Sequence, residues 1–114
     1  MESREVESAV SQLVKAVKES EIYNRYQDEL SKIQEQPDLY RQVNDFRREN
    51  FELQNSDGYD MYDRVDAFER KYEGLRENAQ VNRFLASELA LCRMVQEVYN
   101  DFTDSLDLDM SQVL

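Results

Sequence analysis

The stretch Phe46-Arg47-Arg48-Glu49-Asn50-Phe51-Glu52-Leu53-Gln54 decides how this chain is read, because its polar residues fall where a helix should be apolar. At about 100° per residue, Leu39, Val43, Phe46 and Leu53 share one helix face, with Tyr40 and Phe51 on its flank. Arg47, Asn50 and Gln54 lie between those two apolar groups, at roughly 20° to 80° from Leu39 on the same wheel. Polar groups inside a face that should be buried cost free energy unless they are hydrogen-bonded, so these three need partners elsewhere in the fold or across an interface.

The surrounding composition supports a helical setting. Of the 114 residues, 40% are hydrophobic and 34% charged, with two Gly and one Pro, too few turn residues for a sheet protein. The length is that of one domain able to bury a core without metal or disulfide help. Lys and Arg number 14 against 25 Asp and Glu, a net charge of −11. So acidic a body repels phosphate backbones and disfavours extensive nucleic-acid binding. A local basic patch of Arg41, Arg47 and Arg48 is the exception to weigh. One cysteine, Cys92, rules out an internal disulfide and suits a reducing cytosol. The first residues lack the basic start and apolar run of a signal peptide, and no stretch approaches the roughly 18 apolar residues of a membrane span. A cytoplasmic location is expected.

Moving outward from the central stretch, Gln36-Pro37-Asp38 starts its helix, since Pro is tolerated in the first turn and Asp favours it. Upstream, Val6, Val10, Leu13 and Val17 form the stripe of a helix over about 3–18. The stripe changes phase at Ser20, a good N-cap, which implies a break or kink before a second helix carrying Ile22, Tyr26, Leu30 and Ile33. One long helix with two faces is the alternative. Downstream, Asn55-Ser56-Asp57-Gly58 is a turn. A fourth helix is predicted over about 59–76, with Met61, Tyr62, Val65, Phe68, Tyr72 and Leu75 on one face. Asn78 caps a fifth and longest helix whose apolar arc includes Val81, Phe84, Leu85, Cys92, Val95, Val98, Tyr99, Phe102 and Leu106. The expected fold is all-α, about five helices in an antiparallel bundle over residues 1–106, followed by an acidic tail over 107–114.

No catalytic constellation emerges. Without histidine, a Glu-x-x-His di-iron site and Cys/His zinc sites are excluded, and no glycine-rich phosphate loop exists. Cys92, among apolar neighbours, reads as a core residue. Pairs such as Glu69 and Glu73 arise freely among 25 acidic residues. Glu88 differs, because it falls near the middle of the last helix's apolar arc. A carboxylate there needs a partner, and the candidates are Arg47 or the Asn50 and Gln54 amides. Arg47, Asn50, Gln54 and Glu88 are therefore the candidate site, either a buried polar link fixing helix register or part of a partner-binding pocket. No cofactor or metal is expected. The wide apolar arcs of the third and fifth helices exceed one buried stripe and point to a C₂ homodimer.

Four segments in this order, Val17-Lys18-Glu19-Ser20-Glu21-Ile22-Tyr23-Asn24-Arg25-Tyr26, Pro37-Asp38-Leu39, Phe46 to Gln54, and Val81-x-x-Phe84-Leu85-Ala86-x-Glu88, resemble the YlbF/YmcA/YheA family of small helical bacterial proteins. The resemblance spans about residues 5–106. It implies a YheA/YmcA-like all-α fold that self-associates, no enzymatic activity, and regulation through protein partners. Family members of this kind act in a complex that influences competence, sporulation and biofilm formation and assists an endoribonuclease in mRNA processing. Some carry cysteines that hold an iron–sulfur cluster, a property not carried over to a chain with one mid-helix cysteine. Gln36 and Ala79 replace the family's frequent Asp and Pro at two helix starts. The expectation is a non-enzymatic adaptor. An RNA-associated module using Arg41, Arg47 and Arg48, or a structural dimer, is the alternative, with a metal-dependent enzyme third.

Overall fold

The computed structural model describes residues 3–107, and every regular element among them is helical. Helix α1 spans Arg4–Glu19, α2 Glu21–Gln34, α3 Pro37–Gln54, α4 Met61–Lys71, α5 Glu73–Arg76 and α6 Ala79–Ser105. The expected acidic tail lies outside the described residues beyond Asp107.

The helix ends follow from local chemistry. The Ser3 side chain accepts from the Val6 N–H at 3.3 Å, and Asn78 Oδ1 accepts from the Val81 N–H at 3.0 Å. Each satisfies one of the donors a helix start leaves unpaired. Ser20 serves two helices at once. Its Oγ accepts from the Tyr23 N–H at 3.1 Å while donating to the Val17 carbonyl at 2.6 Å. Its extended backbone, φ −71° and ψ 151°, separates α1 from α2, so the two are distinct helices with a single residue between them. Pro37 opens α3. Gly58 takes φ +139° in the turn after α3, a conformation that favours glycine.

The helix predicted over 59–76 is divided in two at Tyr72. Tertiary anchoring explains the break. The Tyr72 ring packs edge-on against Phe46 at 5.3 Å and lies 5.2 Å from Phe68, and its hydroxyl donates to Glu49 on α3. Gly74, two residues on, offers little helix propensity to resist that pull.

The core sits where α2, α3, α5 and the first half of α6 meet. Ile33, Val43, Val81 and Phe84 are fully enclosed, with Phe46, Tyr72 and Leu75 around them. Burial of a side chain of this size stabilises by about 1.5–3 kcal/mol. α2 packs along α6 and also against α3. Away from this core the molecule is open. Its radius of gyration is 18.1 Å, against about 13 Å for a compact domain of this length. α1 buries none of its residues, and α6 buries none beyond Ser87. The stripe of Val6, Val10, Leu13 and Val14 and the distal residues Val95, Tyr99, Phe102 and Leu106 face solvent.

Candidate functional site

Arg47 on α3 and Glu88 on α6 meet beside Phe84. Arg47 Nη2 donates to Glu88 Oε2, and Nη1 donates to Asn44 Oδ1 at 2.9 Å. The guanidinium lies 5.4 Å from the centre of the Phe84 ring, a cation–π arrangement. Tyr26 of α2 stacks on the same ring, its own ring centre 5.9 Å from that of Phe84. Burial first and the Glu88 charge second push the Tyr26 hydroxyl above its ordinary pKa of 10.0. The pair is partly open, with side-chain exposures of 35% for Arg47 and 23% for Glu88. It therefore behaves as a semi-exposed bridge rather than as a fully desolvated one.

Asn50 and Glu88 both line a groove of about 970 Å³. Its floor carries Phe46, Phe68, Leu85 and Leu89, and its walls come from α3, α4, α5 and α6. Gln54 does not take part: it is exposed on the last turn of α3. Its wheel position pointed inward, but the helix ends there and nothing packs over it. Cys92, read as a core residue, is exposed and lines the same groove. The correction has one cause: the apolar arc of α6 extends beyond the helices available to cover it.

Two polar features escaped the sequence reading. Glu49, facing the opposite side of α3, accepts from Lys71 Nζ at 2.7 Å and from the Tyr72 hydroxyl. The Lys71 hydrogen bond, and then that from Tyr72, hold the Glu49 carboxyl below its ordinary value of 4.5. The same contact raises Lys71, and burial first, with the Glu49 bond second, raises Tyr72. No sequence signal marks a link across 23 residues. Glu29 is the second. It is 8% exposed, its Oε2 has no hydrogen-bond partner, and its nearest cations, Lys32 and Arg83, stand 3.8 Å away. Here a signal existed: Tyr26, Glu29 and Ile33 follow the i, i+3, i+7 spacing of a core face.

Arg41, Arg47 and Arg48 form no free basic patch. Arg41 lies 2.6 Å from Asp38, Arg48 lies 3.3 Å from Asp45, and Arg47 is held by Glu88. Among the described residues no group of three His, Cys, Asp or Glu could hold a metal ion, and no helix is long and apolar enough to cross a membrane.

The family described as "Control of competence regulator ComK, YlbF/YmcA" matches residues 6–107, which takes in all six helices apart from the ends of the chain. The chain belongs to the YlbF/YmcA family. Among its relatives, a UPF0342 protein of Symbiobacterium thermophilum is 27% identical over 101 residues, covering 86% of this chain and 90% of the relative. A UPF0342 protein of Caldicellulosiruptor bescii is 23% identical over 111 residues, covering 91% and 90%. No solved structure matches. The family is described through control of a regulator and not through a reaction. The Arg47–Glu88 pair falls inside the matched region and so belongs to this chain's YlbF/YmcA domain.

Two measurements check this geometry. Arg47→Ala and Glu88→Ala each lower the unfolding free energy by about 1–2 kcal/mol, and in urea unfolding the double variant costs less than the two losses added together. Strict additivity would show that the side chains act independently. For Glu49, a depressed carboxyl contributes stability that is present above its unfolded value of about 4.5 and is lost as pH falls through the lower folded value. Glu49→Gln should therefore flatten the stability profile below pH 4.5 and leave its shape near neutrality unchanged.

Proposed function

We propose that this protein is a non-enzymatic adaptor that self-associates through α1 and the distal half of α6 and acts by binding other proteins, in the cytoplasm, in a regulatory pathway of the competence and mRNA-processing kind. The observation that carries this reading is the pair of apolar stripes left in solvent. Leu13 is 45% exposed, Val95 54% and Phe102 62% in a chain whose core is otherwise closed. An exposed apolar face of this extent marks an interaction surface, and a second copy is the commonest occupant. The helical spacing of Val6, Val10, Leu13 and Val17 presents the ridge that helix pairing uses. Support for a regulatory role comes from the family description, which names control of a competence regulator. An association with an endoribonuclease complex rests on the family resemblance alone.

Sedimentation velocity tests the self-association. The wild-type protein should sediment at about twice the 13.6 kDa chain mass, and Leu13→Asp with Phe102→Asp should return it to one chain mass with the helical circular dichroism intact. A wild-type protein that stays at one chain mass at tens of micromolar would end the self-association reading. Affinity capture from cell extract, with and without ribonuclease, tests the adaptor role. A specific protein partner retained after ribonuclease is the expected result. Loss of every partner on RNA digestion would instead assign the chain to the RNA-associated alternative.

A further inference from the structure

The groove between α4/α5 and α6 has a charge pattern that the fold does not need. Glu69, Glu73 and Glu77 all line it, at i, i+4 and i+8 along the α4–α5 segment. The three do not share one helix: Glu69 lies in α4, Glu73 opens α5 beyond the break at Tyr72, and Glu77 follows the end of α5. Acidic residues four apart recur at Asp45 and Glu49 on α3, where Arg48 and Lys71 pair with them, and at Glu97 and Asp101 on α6. Glu21, Asp38, Asp45 and Asp66 each face an arginine three or four residues away on the same helix. Glu69, Glu73 and Glu77 are exposed, and their side chains have no ion-pair or hydrogen-bond partner among the described residues. The cation that does enter the groove, Arg76, is committed to its floor, with its guanidinium 5.4 Å from the Phe46 ring and Nε donating to Asn82 Oδ1 at 3.2 Å. Glu88 is neutralised by Arg47. The rim is therefore an uncompensated acidic ladder.

Below the ladder the surface is apolar. Phe46, Phe68, Leu85 and Leu89 line it, and Leu89 is 50% exposed. The α6 wall from Leu85 to Cys92 extends over about 10 Å, at 1.5 Å per residue. That length matches about two turns of a helix lying in the groove.

We infer that this groove binds an amphipathic helix of a partner protein, whose apolar face sits on Phe46, Phe68, Leu85 and Leu89 and whose lysines or arginines, one turn apart, pair with Glu69, Glu73 and Glu77. The inference rests on the protein-binding reading above and names the chemistry of the partner. A second copy of this chain is a poorer occupant, because its exposed amphipathic helix α1 would bring only Lys15 and Lys18 as neighbouring cations, the first already facing Glu19 at 3.9 Å, to a rim of three carboxylates. A small cation would leave the floor uncovered.

The test uses a synthetic 18-residue amphipathic helical peptide with a leucine stripe flanked by lysines, and a matched peptide with glutamates in place of the lysines. Binding to the full chain is read by fluorescence anisotropy at physiological salt. The variant Glu69→Gln/Glu73→Gln/Glu77→Gln removes the ladder, and Leu89→Asp disrupts the floor. A control, Glu35→Gln/Glu52→Gln/Asp57→Asn, removes the same charge at exposed positions outside both the groove and α1. The expected result is that the lysine peptide binds, the glutamate peptide does not, and each groove variant weakens binding about tenfold or more while the control changes it by less than about threefold. Equal weakening by the ladder variant and the control would mean that only net charge attracts the peptide, and would overturn the inference. Failure of the lysine peptide to bind would do the same. Sedimentation of the ladder variant separates this from self-association. An unchanged oligomer mass keeps the two surfaces distinct, whereas dissociation of the ladder variant into single chains would make the groove the contact between copies and would overturn the partner assignment. Retention of self-association in Leu13→Asp with Phe102→Asp, with peptide binding intact, would overturn only the reading of α1.

Discussion

The packing of Phe84 against Tyr26 and Arg47 is the contact on which the remaining structure depends. Phe84 has no exposed surface, and its ring brings α2, α3 and α6 to one point. Its neighbours in the core, Ile33, Val43 and Val81, are supplied by the same three helices. The polar pair follows from this aromatic contact. A guanidinium can lie flat on a ring while its N–H groups reach sideways to acceptors, which an ammonium cannot reproduce. Arg47 does this with Asn44 on its own helix and Glu88 across the interface. Glu88 thus occupies an apolar arc because the ring next to it is covered by a cation.

How much of this was legible depended on whether the cause was local. Ser3, Ser20, Pro37 and Asn78 mark helix starts through bonds or ring geometry within a few residues, so the sequence carried them. Arg47 and Glu88 stood out because each interrupts an apolar face. Tyr72 did not, since its break is imposed by Phe46, Phe68 and Glu49, which are distant in sequence. Cys92 and Gln54 failed in a related way. Periodicity tells which residues share a face, but not whether another helix arrives to cover it. α6 is 27 residues long, and its deeply buried residues all fall within its first third. Beyond it Leu89, Cys92, Val95, Tyr99 and Phe102 carried the same pattern as the covered residues and stay exposed among the described residues.

Glu29 shows the opposite case, a charge the core accepts at a cost. Its carboxylate is nearly enclosed, yet its closest cations stand 3.8 Å away on exposed side chains. Isolated burial of a carboxylate is unfavourable, and these long contacts recover only part of that. The stability of the α2–α6 seam therefore comes from Ile33, Val81 and Phe84 and not from the charges along it.

Charge then sorts the two surfaces the core leaves open. Within α1, Arg4, Lys15 and Lys18 balance Glu5, Glu7 and Glu19, so this helix is neutral although the chain carries −11. Two copies meeting through α1 bring together the least repulsive part of an acidic molecule, and the stripe of Val6, Val10 and Leu13 supplies the attraction. The groove lined by Glu69, Glu73 and Glu77 is the reverse: it gathers three carboxylates, whose field favours cationic over anionic surfaces. Specificity arises from what each face rejects as much as from what it holds. Charge thus separates the two proposed contacts, since α1 is neutral whereas the groove is rimmed by three carboxylates.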